Sequence, residues 1–444
     1  MESGDAAKAE HLCVLIHGLW GKPLHLNHVK ETLEKEYPDG RLYVFAPKSN
    51  SENYTYDGIE VGGERVTNEV EEKIAELESA GANLKRISVT GYSLGGLVAR
   101  YAIGLLHKNG VFDKLEPTNF TTFATPHLGV RTPSVGFGGQ FWNTLGSRTL
   151  STSGAQMFLA DSFRETGKPL LSILADPNSI FIQGLRLFRR KSAYANTIND
   201  RSVPYFTSGI SRVDPFVDLD AIDLNYLPGQ EDGNEVILDP IEPVRLKKTP
   251  DTALTLYERS SRTLSNVPFY AAITVLLPIG ATFFLINAGV QNYRSSSRRT
   301  LHEAGKGGFS TTRYRIPLLE EAQAMQDRAY ERINSQQQET YLPTPPAEPA
   351  SKSASPDSSS VDLADEKALA RKESKKEKLP FPILALTDEQ FGMIDSLNDI
   401  GMIKYPVHIQ KVRHTHAAIV VRSDRESFAE GRVVCTHWAK NFEL

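Results

Sequence analysis

From His11 to Thr125, short continuous apolar runs alternate with longer stretches in which apolar positions recur every three or four residues. Continuous runs mark strands buried on both faces, and the wider spacing marks the helices that cover them. CVLI (13–16), RLYVFA (41–46), RISVTG (86–91) and NFTTFAT (119–125) are therefore read as strands. HVKETLEKEY (28–37) is read as a helix, as is VTNEVEEKIAELES (66–79), whose Val66, Val70, Ile74 and Leu77 share one face. The stretch from about Gly95 to His107 is apolar nearly all round, as a helix packed under a sheet must be. This alternation predicts an α/β fold with a mostly parallel central sheet.

The pattern changes after residue 130. Residues 130–190 are glycine-rich and then patchily helical, which suggests a long insertion between core strands, and SAYANTIND (192–200) regains strand character before a polar turn. Between Thr263 and Tyr293 no residue is charged, with Arg259 and Arg262 before and Arg294, Arg298 and Arg299 after. The centre, VPFYAAITVLLPIGATFFLI (267–286), has the ~20 apolar residues that a bilayer asks for. Its Leu, Ile, Phe and Val residues favour lipid by about 3–7 kcal/mol before the cost of Pro268, Pro278 and Gly280 is subtracted. Residues 334–378 are rich in Pro, Ser, Gln and Lys with almost nothing to bury, and read as a disordered linker. LPFPILALT and FGMIDSLNDIGMIKYPVHIQKV then restore an apolar pattern that must dock elsewhere. The chain thus divides into a tail (1–10), a core carrying the candidate nucleophile and acid (11–262), a hydrophobic membrane-associating segment (263–293), a helical and basic connector (294–333), the linker (334–378) and a last part of the core (379–444).

Composition narrows the field. At 444 residues the chain exceeds one ordinary core, and 40% hydrophobic with 23% charged residues is globular overall. Fifty basic against 54 acidic residues give a net charge of −4, so nothing asks for nucleic acid. Cys13 and Cys435, at opposite ends of the chain, fit small buried hydrophobes in a reducing compartment. MESGDAAKAEHL lacks a basic and an apolar leader region, so a cytosolic start and no secretion are expected.

Chemistry enters at VTGYSLGGL, which sets Ser93 in G-x-S-x-G after a strand and before a helix. That context is a nucleophile elbow: a turn tight enough to need Gly91 and Gly95 lifts a serine hydroxyl clear of the sheet. A glycine-rich turn whose serine caps the helix is the plainer alternative. HGLWG (17–21) follows the first strand, so the backbone N–H of Leu19 can face the same pocket as that of Leu94, and two such donors suit a developing oxyanion. His17 is then a loop-holding residue, and His127 in ATPHLGV likewise.

In this architecture the acid follows the nucleophile and the histidine comes last. Asp200 in NDRSVP stands at a strand end and is taken as the acid, with Asp214, Asp218, Asp220 and Asp223 competing from a more acidic loop. For the base, His302, His408 and His437 sit respectively by the arginine fence, in a strand pattern and in the final helix. RHTHAAIVV (413–421) offers His416, with His414 in reserve. These two, like His25 and His28, lack third and fourth partners for a metal, and neither a metal nor an organic cofactor is expected.

HGLWG, GYSLGG, FATPHLG, NDRSVPY and HAAIV together resemble the fungal putative serine esterase and lipase family, in particular its lipid-droplet phospholipase members. The shared motifs cover residues 11 to about 210 and about 380 to 425. The resemblance implies an α/β-hydrolase fold and hydrolysis of the acyl esters of phospholipids or other glycerolipids, and carries over Ser93, Asp200 and His416. A lipid-droplet surface or the cytosolic face of the endoplasmic reticulum is the expected location; protein partners are not indicated.

Topology constrains the apolar segment. Ser93 precedes it and every candidate base follows it, so a single crossing would part them by a bilayer. A hairpin, an interfacial element or a helix roofing the site survive. Pro278 divides the segment into arms of about 10–15 residues, each ~15–22 Å if helical, so a re-entrant anchor fits best. A soluble carboxylesterase or thioesterase with a buried cap helix, and a non-catalytic membrane scaffold, are the competing functions.

Overall fold

The computed structural model describes residues 6–131, 150–230, 235–247, 288–308, 310–311, 314 and 381–444. Residues 263–287 of the apolar segment and the whole 334–378 linker lie outside the described residues. Among the described residues no helix is long and apolar enough to cross a membrane.

In chain order the elements are β1 (His11–Ile16), α1 (Asn27–Glu36), β2 (Leu42–Phe45), α2 (Ile59–Ser79), β3 (Arg86–Tyr92), α3 (Leu94–Lys108) and β4 (Glu116–Phe123). Three short helices, α4 (Ser151–Met157), α5 (Leu170–Leu174) and α6 (Ile180–Arg186), lead to β5 (Arg190–Asn196). A small antiparallel ribbon, β6 (Ile222–Leu224) and β7 (Val244–Leu246), follows. Then come a helix over 288–303, α7, and α8 (Asp388–Asp399), β8 (Ile403–Val407) and α9 (Ala429–Lys440).

Six strands form one parallel sheet in the order β2-β1-β3-β4-β5-β8. β1 is buried at every position, as its unbroken apolar run requires. Val66, Val70 and Leu77 of α2, α3 and Met393, Ile394 and Leu397 of α8 pack on one face; Val29 and Leu33 of α1 and Val434 and Trp438 of α9 pack on the other. The C-terminal segment thus supplies both an edge strand and covering helices. Cys13 and Cys435 are buried, and burial raises both thiols, Cys435 to about 12.

The chain leaves β1 for β2 on one side and returns to β3 on the other. At such a switch of direction the loops beyond the carboxyl ends of the two strands part and leave a crevice. HGLWG follows β1 there, and the turn carrying Ser93 follows β3.

Helix α2 begins seven residues before the expected Val66, because its first two turns carry glycines and buried charges in place of an apolar stripe. Those charges have distant partners. Glu64 meets His302 of α7 at 2.6 Å. Asp57, just before α2, binds Arg65 at 2.9 Å and Arg298 of α7 at 2.7 Å. Residues 288–293, at the end of the apolar stretch, are already part of α7.

Two histidines make the fold acid-sensitive. Burial pushes His11, which lies 2.7 Å from Ser88 Oγ, down to about 3. His127 is held well below the usual range by burial and then by the charge of Arg100. In the unfolded chain both titrate near pH 6.5, so below that pH the unfolded state binds more protons and stability falls. Stability is expected to fall by up to ~1.4 kcal/mol per pH unit between about pH 6 and 4 through His11, and His127 adds a loss of the same sign. Urea midpoints at pH 7, 6 and 5 measure it, and a flat profile would contradict it.

Candidate active site

Ser93 joins β3 to α3 with φ 55° and ψ −128°, a conformation that a non-glycine residue adopts only when its surroundings impose it. Those surroundings are tight. A Cβ on Gly95 would fall 2.2 Å from the carbonyl oxygen of Ile16, and one on Gly18 would fall 2.7 Å from Ser93 Cβ. The two glycines let the β1 loop and the elbow touch. The Ser93 N–H donates to the Phe123 carbonyl at 2.9 Å, fixing the turn to β4.

The imidazole comes from a single helical turn, Thr415–Ala418, beyond β8. His416 Nε2 lies 2.9 Å from Ser93 Oγ, and His416 Nδ1 lies 2.8 Å from Asp200 Oδ2. Asp200 stands four residues beyond β5 and is buried. Burial works against its charge, but the charge and hydrogen bond of His416, the Asn196 amide and the Val203 N–H outweigh it and hold the carboxyl below its usual range. Its other oxygen accepts the N–H groups of Ser202 and Val203 at 3.0 and 2.8 Å. A carboxylate so fixed, hydrogen-bonded to Nδ1, leaves Nε2 free to take a proton from the hydroxyl.

The two residues expected to supply backbone donors each adjoin a residue at the elbow. Leu94 opens α3, where an N–H has no acceptor within the helix. Leu19 follows Gly18, the residue pressed against Ser93. The next residue, Trp20, has φ 55° and donates its N–H to Thr55 Oγ1 at 3.0 Å, which shapes the loop.

The remaining candidates lie elsewhere. His17 bridges the Gly18 carbonyl and Ser51, and His127 binds Thr122, so both hold loops. His408, one residue past β8, meets Thr197, and His437 meets Tyr194. His302 pairs with Glu64. Asp214 and Asp218 cap short turns through Phe216 and Asp220. His414 directly precedes the turn that carries His416.

Three supports escaped the sequence. The Tyr92 hydroxyl donates to the His416 carbonyl at 2.8 Å, its ring 5.2 Å from the imidazole. Asn196 donates to Asp200 Oδ2 at 2.9 Å, and the Thr415 hydroxyl donates to the Ile198 carbonyl at 2.9 Å. The tyrosine sits inside the G-x-S-x-G motif, yet spacing alone says nothing of a partner 324 residues away.

Residues 6–211 match the model of the DUF676 family, described as a putative serine esterase. The chain is 31% identical over 213 residues to the putative lipase ROG1 of Saccharomyces cerevisiae, covering 47% of this chain and 29% of that protein. Against the putative lipase C4A8.10 of Schizosaccharomyces pombe it is 29% identical over 210 residues, covering 46% and 26%. The chain therefore aligns with less than a third of either relative. A solved lipase-esterase related protein from Clostridium acetobutylicum matches 47% of this chain and 82% of its own at 11% identity, with a TM-score of 0.27, too slight a likeness to locate function.

Proposed function

We propose, from the match of residues 6–211 to the model of the DUF676 putative serine esterase family, that this chain hydrolyses the acyl esters of glycerophospholipids or other glycerolipids at a lipid surface. Ser93 Oγ attacks the ester carbonyl while His416 Nε2 takes its proton. Asp200 stabilises the imidazolium, and the N–H groups of Leu19 and Leu94 bind the oxyanion. The imidazole then passes the proton to the departing alcohol, and water releases the fatty acid by the same steps in reverse. One observation carries this reading: the 2.9 Å contact between Ser93 Oγ and an imidazole from the far end of the chain.

The lipid surface is supported by the apolar stretch 263–293 and by large side chains left exposed near the site. Trp20, on the loop beside Ser93, is 50% exposed, and Leu24 and Tyr54 are exposed with it. Helix α7 returns to the body through Arg298 and His302, which favours a segment that leaves and rejoins the same side over one that crosses. A lipid droplet or the cytosolic face of the endoplasmic reticulum offers such a surface.

The same docking of α7 also suits a soluble esterase or thioesterase whose apolar segment is a cap. A panel of phospholipid and acylglycerol vesicles separates the two. The lipase reading expects fatty-acid release by the wild type, and co-sedimentation of both wild type and Ser93→Ala with the vesicles. Hydrolysis of dispersed short-chain esters without co-sedimentation would favour the cap.

A further inference from the structure

A cavity of about 340 Å³ opens beside the proposed base, walled by Arg201, Arg413, His414, His416, Arg422 and Arg425 among others. Its lining holds no carboxylate residue. The nearby Asp424 turns instead to Arg432, at 2.5 Å. Among the described residues, none of the four arginines forms an ion pair with Asp or Glu. The chain as a whole carries −4, so this is a local reversal of charge, and His416 forms part of its wall. An arginine face that merely serves solubility has no reason to converge on a cavity containing the catalytic imidazole.

We propose that this cavity receives the departing half of the substrate and that the departing half bears a phosphate. The inference rests on the acyl-transfer reading above. In acyl-enzyme formation the Ser93 Oγ–carbon bond forms and the carbon–oxygen bond to the leaving alcohol breaks. The proton lost by Ser93 travels on His416 Nε2 to that alcohol oxygen, so the leaving alcohol must lie against the imidazole. A glycerol phosphate there meets guanidinium forks shaped to bind phosphate oxygens in pairs. A choline-type headgroup would bring a cation into the same wall and be disfavoured, and an uncharged acylglycerol would leave the arginines unused. The order of preference is therefore anionic phospholipid, then zwitterionic phospholipid, then neutral glyceride.

The test uses dioctanoyl phosphatidic acid, phosphatidylcholine and diacylglycerol in uncharged detergent micelles, with wild type and the double variant Arg413→Gln/Arg425→Gln. Both side chains are exposed, and the side-chain hydrogen bonds of Ser93, His416 and Asp200 run to other residues. The expected result is the highest kcat/KM on phosphatidic acid. The double variant should lower the ratio of phosphatidic acid to diacylglycerol hydrolysis at least tenfold, chiefly through KM, and Arg413→Lys/Arg425→Lys should restore part of it. A second arm needs no turnover: calorimetry of Ser93→Ala protein should detect sn-glycerol 3-phosphate, not glycerol, and the glutamine changes should abolish the signal. An unchanged ratio, inorganic phosphate bound more tightly than glycerol phosphate, or glycerol phosphate bound no better than glycerol would overturn the proposal. If no ester is hydrolysed but glycerol phosphate still binds through the arginines, the hydrolase reading falls and the anion site stands.

Discussion

Ser93→Ala lowers ester hydrolysis by about 10⁴–10⁶-fold, with residual turnover from the oxyanion donors and binding alone. The magnitude follows from the chemistry: without Oγ there is no covalent intermediate, and His416 and Asp200 have nothing to activate. Folding should be nearly untouched, since the substitution removes one atom whose hydrogen-bond partner among the described residues is His416. Fatty-acid release measured by titration, with the thermal midpoint as a folding control, reads both. Activity within tenfold of wild type would remove Ser93 from the mechanism.

Asp57→Ala costs about 3–5 kcal/mol, because a buried carboxylate shared by two guanidiniums cannot leave without stranding them. Asp57 is fully buried, with Arg65 on one oxygen and Arg298 reaching both. Both guanidiniums also stack over the Tyr54 ring, at 5.0 and 5.1 Å. The loss should appear as a lower urea midpoint together with faster proteolysis of α7, since the half-buried Arg298 ties that helix to the body. Arg298→Met should cost less, because Arg65 still faces the carboxylate. A loss below about 1 kcal/mol for Asp57→Ala would mean that the solvent already screens the group.

The difference between what the sequence revealed and what it hid has physical causes. β1 was legible because a strand buried on both faces must be a nearly unbroken apolar run, and β3, β4 and β5 because apolar residues there are mixed with small Ser, Thr, Ala or Gly between turn residues. Ser93, Asp200 and His416 were legible as candidates because the elbow needs glycines and the three groups come in a set order along the chain. The first turns of α2 were not legible. Gly62, Gly63, Glu64 and Arg65 look like a polar turn, and the partners that make those charges tolerable in the interior, His302 and Asp57, carry no local periodicity. The strand pattern that takes in His408 forms a strand only at Ile403–Val407, since the chain leaves the sheet after Val407 and the His408 N–H turns to the Val236 carbonyl. The arginines around His416 were passed over for the same reason as the Tyr92 contact: side chains that converge from separate loops leave no pattern in either.

The dependence of Ser93 reactivity on His416, more than 300 residues further along the chain, can be measured without any substrate. It is tested most directly by labelling with a fluorophosphonate probe and locating the adduct by mass spectrometry, in the wild type and in His416→Gln. The expected result is rapid, stoichiometric modification of Ser93 in the wild type and a rate at least ~10³-fold lower in the variant, with an unchanged fold. Labelling of Ser93 at the same rate in both proteins, or no labelling of the wild type, would contradict it.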